Sequence, residues 1–142
     1  VRIARGEFAK GIREIPRGSN TSPGIARYRG AMVPRARPAA WCAYFASWVT
    51  KRAGAPLGVH GYGIASAAGI SVWARRTGRW RHLPRPGDVA VYDHHVGIVA
   101  TVSGSRMTTV EGNWSDRVSR LSRSRSEAFG FARVAVGDHR TR

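Results

Sequence analysis

A single cysteine in 142 residues means that no intrachain disulfide can staple this chain. Acidic residues are scarce as well: eight carboxylates face 24 basic side chains, almost all arginine, and the formal net charge is +16. A surface of that sign attracts polyanions, and nucleic acid, an acidic membrane surface and an anionic cell-wall polymer all qualify. The arginines run from Arg2 to Arg142 without gathering on one periodic stripe, so charge does not choose among these partners, and a plain solvated surface fits equally. No apolar run approaches the roughly 18 residues of a membrane span. The longest small-and-apolar stretch, Gly63 to Ala74, is short and glycine-rich. There is no internal repeat, and the serine-arginine alternation from Ser119 to Ser126 suits an exposed edge strand. No stretch reads as a signal peptide, which fits a fragment or a mature form as well as a protein that is never exported.

What is present points to one packed domain: 42% hydrophobic residues and five tryptophans in a chain of this length. Ile3, Phe8, Ile12 and Ile15 recur at loosely helical spacing, predicting an opening helix from Val1 to about Glu14. Pro16 to Pro38 reads as a long loop with a helical turn around Ile25 to Tyr28. A helix then runs from about Pro38 to Ala53, with proline at its first turn, Lys51 and Arg52 at its last and Gly54 beyond it. Cys42, Phe45, Ala46 and Val49 form one apolar stripe and Trp41, Tyr44 and Trp48 a second, leaving Ala43, Ser47, Thr50 and Lys51 for water. A further helix is expected over Ile64 to Arg76, with Ile64, Ala68, Val72 and Trp73 inward. After the turn at Pro86-Gly87-Asp88 come five short runs of strand character: Val89 to Tyr92, His95 to Val102, Met107 to Asn113, Arg117 to Leu121 and Phe129 to Val134. Helices first and strands after indicate an α+β domain, an antiparallel sheet of about five strands packed on the leading helices.

Cys42 lies in the first turn of an aromatic helix, where unpaired backbone N–H groups favour a thiolate, although free cysteines are also common core residues. A cysteine nucleophile needs a base, and the base needs a partner that holds its tautomer. His60, His82 and His139 fall in turns or near the C-terminus and read as solvated, whereas His94 and His95 stand at the mouth of a strand. Gly97 leaves room on the face His95 occupies, and on the next strand Glu111 and Asn113 share one face, about 7 Å apart. Either side chain is of a type that orients an imidazole.

Trp41-Cys42-Ala43-Tyr44-Phe45-Ala46-Ser47-Trp48-Val49, then Arg85-Pro86-Gly87-Asp88-Val89-Ala90-Val91-Tyr92, His95-Val96-Gly97-Ile98-Val99 and Val110-Glu111-Gly112-Asn113 resemble, in order and spacing, the CHAP domains. These are cysteine- and histidine-dependent amidohydrolases/peptidases of the papain-like NlpC/P60 superfamily. Gly11-Ile12-Arg13-Glu14 with Gly18-Ser19-Asn20 is similar to the lead-in of phage- and actinobacterial-type members. The resemblance implies one catalytic domain over residues 1–142, its core at about 11–134, with a papain-like fold. It implies a peptidoglycan hydrolase, either an N-acetylmuramoyl-L-alanine amidase or an endopeptidase of the stem or cross-bridge. Cys42 would attack the amide carbonyl, His95 would carry the proton, and Glu111 would be the acidic third member with Asn113 a polar residue of the same role. The Cys42 N–H would be one oxyanion donor. Asn20, Trp41 and Trp114 are the expected cleft residues. Asp93-His94 stands where many relatives carry glycine, which leaves His94 open as the alternative base. The implied setting is a secreted or wall-associated enzyme or a phage lysin, acting as a monomer on peptidoglycan with no cofactor.

Other readings remain open on the residues alone. A non-catalytic wall- or nucleic-acid-binding module would use the charge and the tryptophans, yet Trp41, Trp48 and Trp73 lie on helices, leaving Trp80 and Trp114 to stack. A metal site would draw on Asp93, His94 and His95, but no H-E-x-x-H or C-x-x-C spacing is present and neighbours on a strand point to opposite faces. The hairpin joining the two active-site strands sharpens the hydrolase reading. An odd-length loop centred on Gly104 sets His95 opposite Asn113 and Gly97 opposite Glu111, all on the face covered by the cysteine helix. A two-residue turn would shift the register by one and separate them.

Overall fold

A computed structural model describes residues 1–134 and has the α+β order expected, helices leading and antiparallel strands following. The helices are α1 (Arg2–Ala9), α2 (Pro23–Arg29), α3 (Cys42–Arg52) and α4 (Ala67–Arg76). The strands are β1 (Trp80–Arg81), β2 (Val89–Tyr92), β3 (His95–Ser103), β4 (Arg106–Trp114), β5 (Arg117–Ser124) and β6 (Gly130–Ala132), in one sheet ordered β1-β6-β2-β3-β4-β5. The two-residue β1, paired with β6, adds an edge to the five strands expected. His139 lies outside the described residues.

The opening helix stops at Ala9, short of Glu14, and Gly11 beyond it takes a left-handed φ of 69°. From there the chain runs beside β5. Arg13 bridges Arg117, and the Glu14 and Val118 amides donate to the Asp116 and Ile12 carbonyls. Glu7 ties α1 to α2: this buried carboxylate accepts from Lys10 Nζ at 2.7 Å, Arg27 Nη2 at 2.6 Å and Tyr28 Oη at 2.8 Å. α2 is longer than the single turn expected, because Ser22 caps the Ile25 amide and Pro23 occupies the first turn.

α3 begins at Cys42, not at Pro38, with Trp41 as its N-cap residue. Ala43, Ser47 and Thr50, expected in water, are buried, and of that set only Lys51 is exposed. The two hydroxyls find acceptors, Ser47 on the Ile64 carbonyl (2.9 Å) and Thr50 on that of Ala46 (2.9 Å), so burial leaves neither unpaired. Tyr28 of α2 stacks on Trp41 and meets Phe45 and Trp48 edge-on. On α4 the inward residues are Ala67, Ile70 and Ala74, with Trp73 half-buried, while Ala68 and Val72 are exposed. The expected phase was set from Ile64, which precedes the Ser66 cap and is not helical.

The sheet buries both faces. Val89, Val91, Val96, Ile98, Val110, Val118 and Ala132 join the helices in the main core. Ala90, Tyr92, Val99, Met107 and Phe131 form a smaller cluster apart from it. The β3–β4 hairpin departs from the expected odd loop, since Ser103 pairs with Arg106 across a two-residue turn of Gly104 and Ser105. A bulge at Ala100 then inserts one residue, so Val99 pairs with Thr109 and Ile98 with Val110. The turn shifts the parity and the bulge shifts it back. The register near the site is therefore the one an odd loop would have given.

Candidate active site

Two glycines show which way the site residues point. A side chain on Gly112 would collide with Phe45 and Trp41, so Gly112 faces α3; one on Gly97 would collide with Glu111. Glu111 is next to Gly112 on the strand and takes the opposite face, the one it shares with Gly97. This corrects the expectation that the polar residues sit beneath the cysteine helix. They gather on the other face, and Cys42, the first residue of α3, is near enough to act on the protonation of His95.

His95 opens β3, its side chain 15% exposed, and its Nε2 lies 2.7 Å from Glu111 Oε1. That bond leaves Nδ1 as the ring nitrogen not engaged by Glu111. Burial disfavours the imidazolium, yet hydrogen bonding to Cys42 and to Glu111 outweighs it and lifts the His95 pKa to about 9. The Cys42 side suits an anion as well: Trp41 provides no side-chain cap and the first turn holds no acid, so among the described residues no side chain caps the first-turn N–H groups of α3.

Glu111 is fully buried and fully bonded. Besides His95 it accepts from Thr109 Oγ1 (2.6 Å) and, side-on, from Arg123 Nε (2.6 Å) and Nη2 (2.8 Å). Burial alone would raise its pKa, but the bonds from His95, Arg123 and Thr109 lower it to about 2. Tyr92 stacks at 6.0 Å on the imidazole and Trp114 leans against it at 5.6 Å. Trp114 is 42% exposed and forms a lip beside His95.

The remaining candidates are placed elsewhere. His94 and Asp93 form the exposed β2–β3 turn, 3.4 Å apart, and His94 takes a φ of 55°, so the histidine against Glu111 is His95. Among the described residues no three His, Cys, Asp or Glu side chains come together as a metal site would require. Asn113 sits in a bulge between Glu111 and Trp114 with a left-handed φ of 59°, and its side chain bonds to none of the described residues; the carboxylate partner of the imidazole is Glu111. Trp41, expected in the cleft, is wholly buried and donates its indole N–H to Glu14 at 2.9 Å. Asn20 lies in a turn where Ser19 Oγ donates to the Thr21 carbonyl, with no described bond to Cys42, His95 or Glu111.

Arg123 is the residue sequence reasoning missed. It stood inside the serine-arginine alternation read as an exposed edge, and β5 is indeed an edge strand, but Arg123 is buried. The signal was parity: Met107 pairs with Arg123 and Glu111 with Ser119, which sets Arg123 on the Glu111 face. Asp88 of the Pro-Gly-Asp turn is structural. It accepts from the Arg85 amide and from Arg133, closing the turn into β2.

Comparison with curated proteins and with solved structures returned no match. The family model of the CHAP domain matches residues 34–113, which span the N-terminal approach to α3, Cys42, His95 and Glu111. The chain belongs to the CHAP domain family, whose members are hydrolases of the amidase and peptidase type.

Proposed function

We propose that the chain hydrolyses an amide bond of peptidoglycan, as an N-acetylmuramoyl-L-alanine amidase or as an endopeptidase of the stem or cross-bridge, through a thioester on Cys42. The observation that carries this reading is His95, bonded to Glu111 through Nε2 and set against the cysteine at an uncapped helix start. The imidazole takes the thiol proton and Sγ attacks the amide carbonyl carbon. Backbone N–H of Cys42 faces the oxygen on which charge develops. As the C–N bond breaks, the imidazolium passes its proton to the departing amine. A water then gives a proton to His95 and attacks the thioester, releasing a carboxylic acid and restoring the thiol. Glu111 keeps the imidazole in the tautomer this sequence needs and supports its positive charge. Trp114, beside the imidazole and part exposed, lines the side where the acyl group lies. The proposal includes accumulation on anionic wall polymers through the net charge of +16, by a secreted or wall-associated enzyme or a phage lysin.

Digestion of purified peptidoglycan tests the reading and identifies the bond. Mass spectrometry of the products should show new amine and carboxyl ends at one type of amide. Undigested material, or cleavage confined to the glycan strand, would overturn it.

A further inference from the structure

We propose that Arg123 is a positioning residue for this chemistry: its side-on bond to Glu111 is a permanent countercharge that keeps the carboxylate ionised and aimed at His95 in both protonation states of the imidazole. This role rests on the hydrolase reading above. Glu111 has no exposure, and its two oxygens offer about four acceptor sites. Four donors fill them: His95 Nε2 and Arg123 Nη2 on Oε1, Arg123 Nε and Thr109 Oγ1 on Oε2. When His95 gives its proton to a leaving amine the imidazole becomes neutral. Were it the only cation nearby, the reaction would leave a buried carboxylate without a countercharge, and the proton would stay on the imidazole or move to Glu111. A guanidinium does not titrate in this range, so its charge persists through the cycle.

Arg123 is itself held on several sides. Its guanidinium lies 4.3 Å from the Tyr92 ring centre and 4.7 Å from that of Trp114. Its Nη1 donates to Glu127 Oε1 at 3.0 Å, and the other Glu127 oxygen accepts from the Ser124 amide at 2.7 Å. The neighbouring arginines of this segment, Arg117, Arg120 and Arg125, are exposed. A lysine would supply charge without the fork, and a neutral side chain would supply neither.

The test uses Arg123→Met and Arg123→Lys, each alone and combined with Glu111→Gln, with circular dichroism to verify folding. The first readout needs no substrate: the Glu111 carboxyl is titrated by carbon NMR and assigned by its absence in Glu111→Gln. It should titrate near 2 in the parent protein. In Arg123→Met it should rise by about one to three units, the effect of removing an adjacent opposite charge, and in Arg123→Lys by less. On peptidoglycan, kcat should fall by about tenfold or more with KM little changed, and Arg123→Met should cost under about twofold further in the Glu111→Gln background. A folded Arg123→Met protein whose Glu111 titrates as in the parent overturns the proposal, as does an equal loss of kcat in both backgrounds. If Arg123→Met does not fold, Arg123→Lys decides by the same titration. A protein that leaves peptidoglycan intact overturns the hydrolase reading, while the titration still decides whether Arg123 holds the carboxylate.

Discussion

Two buried glutamates carry nearly the same load in different parts of the molecule. Glu7 accepts from Lys10, Arg27 and Tyr28 where α1 meets α2, and Glu111 accepts from His95, Arg123 and Thr109 on the far face of the sheet. Burial works against both carboxylates and hydrogen bonds lower the pKa of both. The difference lies in the partners. Those of Glu7 are an ammonium, a guanidinium and a phenol whose pKa is pushed up by burial and by Glu7 itself, and the carboxylate joins the two helices. Glu111 has one partner that titrates, His95, whose pKa is lifted to about 9 by hydrogen bonding to Cys42 and to Glu111 against the cost of burial. On the proposed chemistry, the company of one titratable ring is what would make a structural carboxylate part of a reaction centre.

Substitutions at the two positions should separate their effects. Glu111→Gln should lower kcat on peptidoglycan by about 10²-fold or more, since general acid–base steps carry that much, whereas folded Glu7→Gln should keep the parent rate. Equal losses at the two positions, measured as rate per folded molecule, would erase the distinction. Stability sharpens it from the other side: Glu7→Gln should cost about 1–3 kcal/mol in urea unfolding, because Lys10 and Arg27 can turn to water while Tyr28 keeps an acceptor. A midpoint unchanged by that substitution would mean that the Glu7 carboxylate does not hold α1 to α2.

The pH dependence follows from the signs of the shifts. His95, raised from 6.5 to about 9, contributes stability below its ordinary value that is lost as pH rises through about 9, and hydrolysis should fall over the same range as the proton needed by the leaving amine is lost. Glu111, lowered from 4.5 to about 2, contributes stability above its ordinary value that is lost as pH falls through about 2. Since Glu111 helps raise the His95 pKa, Glu111→Gln should move the alkaline limb of the rate to lower pH. A limb that stays in place would mean that the carboxylate does not act through His95. The smallest effect expected is on wall binding, which should weaken as salt rises past physiological strength, where the screening length is about 8 Å. Binding that is level from low to high salt would remove charge as the attraction.

Local pattern made much of this legible. The spacing of Cys42, Phe45, Ala46 and Val49 reads as a helix at any context, and β-branched runs separated by glycines mark strands. Gly97 was legible too, because a residue without a side chain beside a polar partner implies room for it. What escaped the sequence is non-local. The bulges at Ala100 and at Asn113 decide the register, and each depends on the whole ladder rather than on the residue that bulges. The odd loop expected at Gly104 is absent, yet the bulge restores its consequence. Trp41 looked like a cleft residue until Glu14, distant in sequence, took its indole N–H. Arg123 looked like one of many surface arginines because nothing within β5 marks it; its partner lies on the neighbouring strand.

The central claim is that Cys42 is the nucleophile, and the rate of peptidoglycan solubilisation by Cys42→Ala tests it most directly. The cysteine is 8% exposed and the only one in the chain, so the substitution removes the sulfur with little change in packing. The account predicts a folded protein with the parent's circular dichroism spectrum, still bound to walls at low salt, and a rate lower by about 10³-fold or more. A Cys42→Ala protein that solubilises peptidoglycan at the parent rate would contradict it.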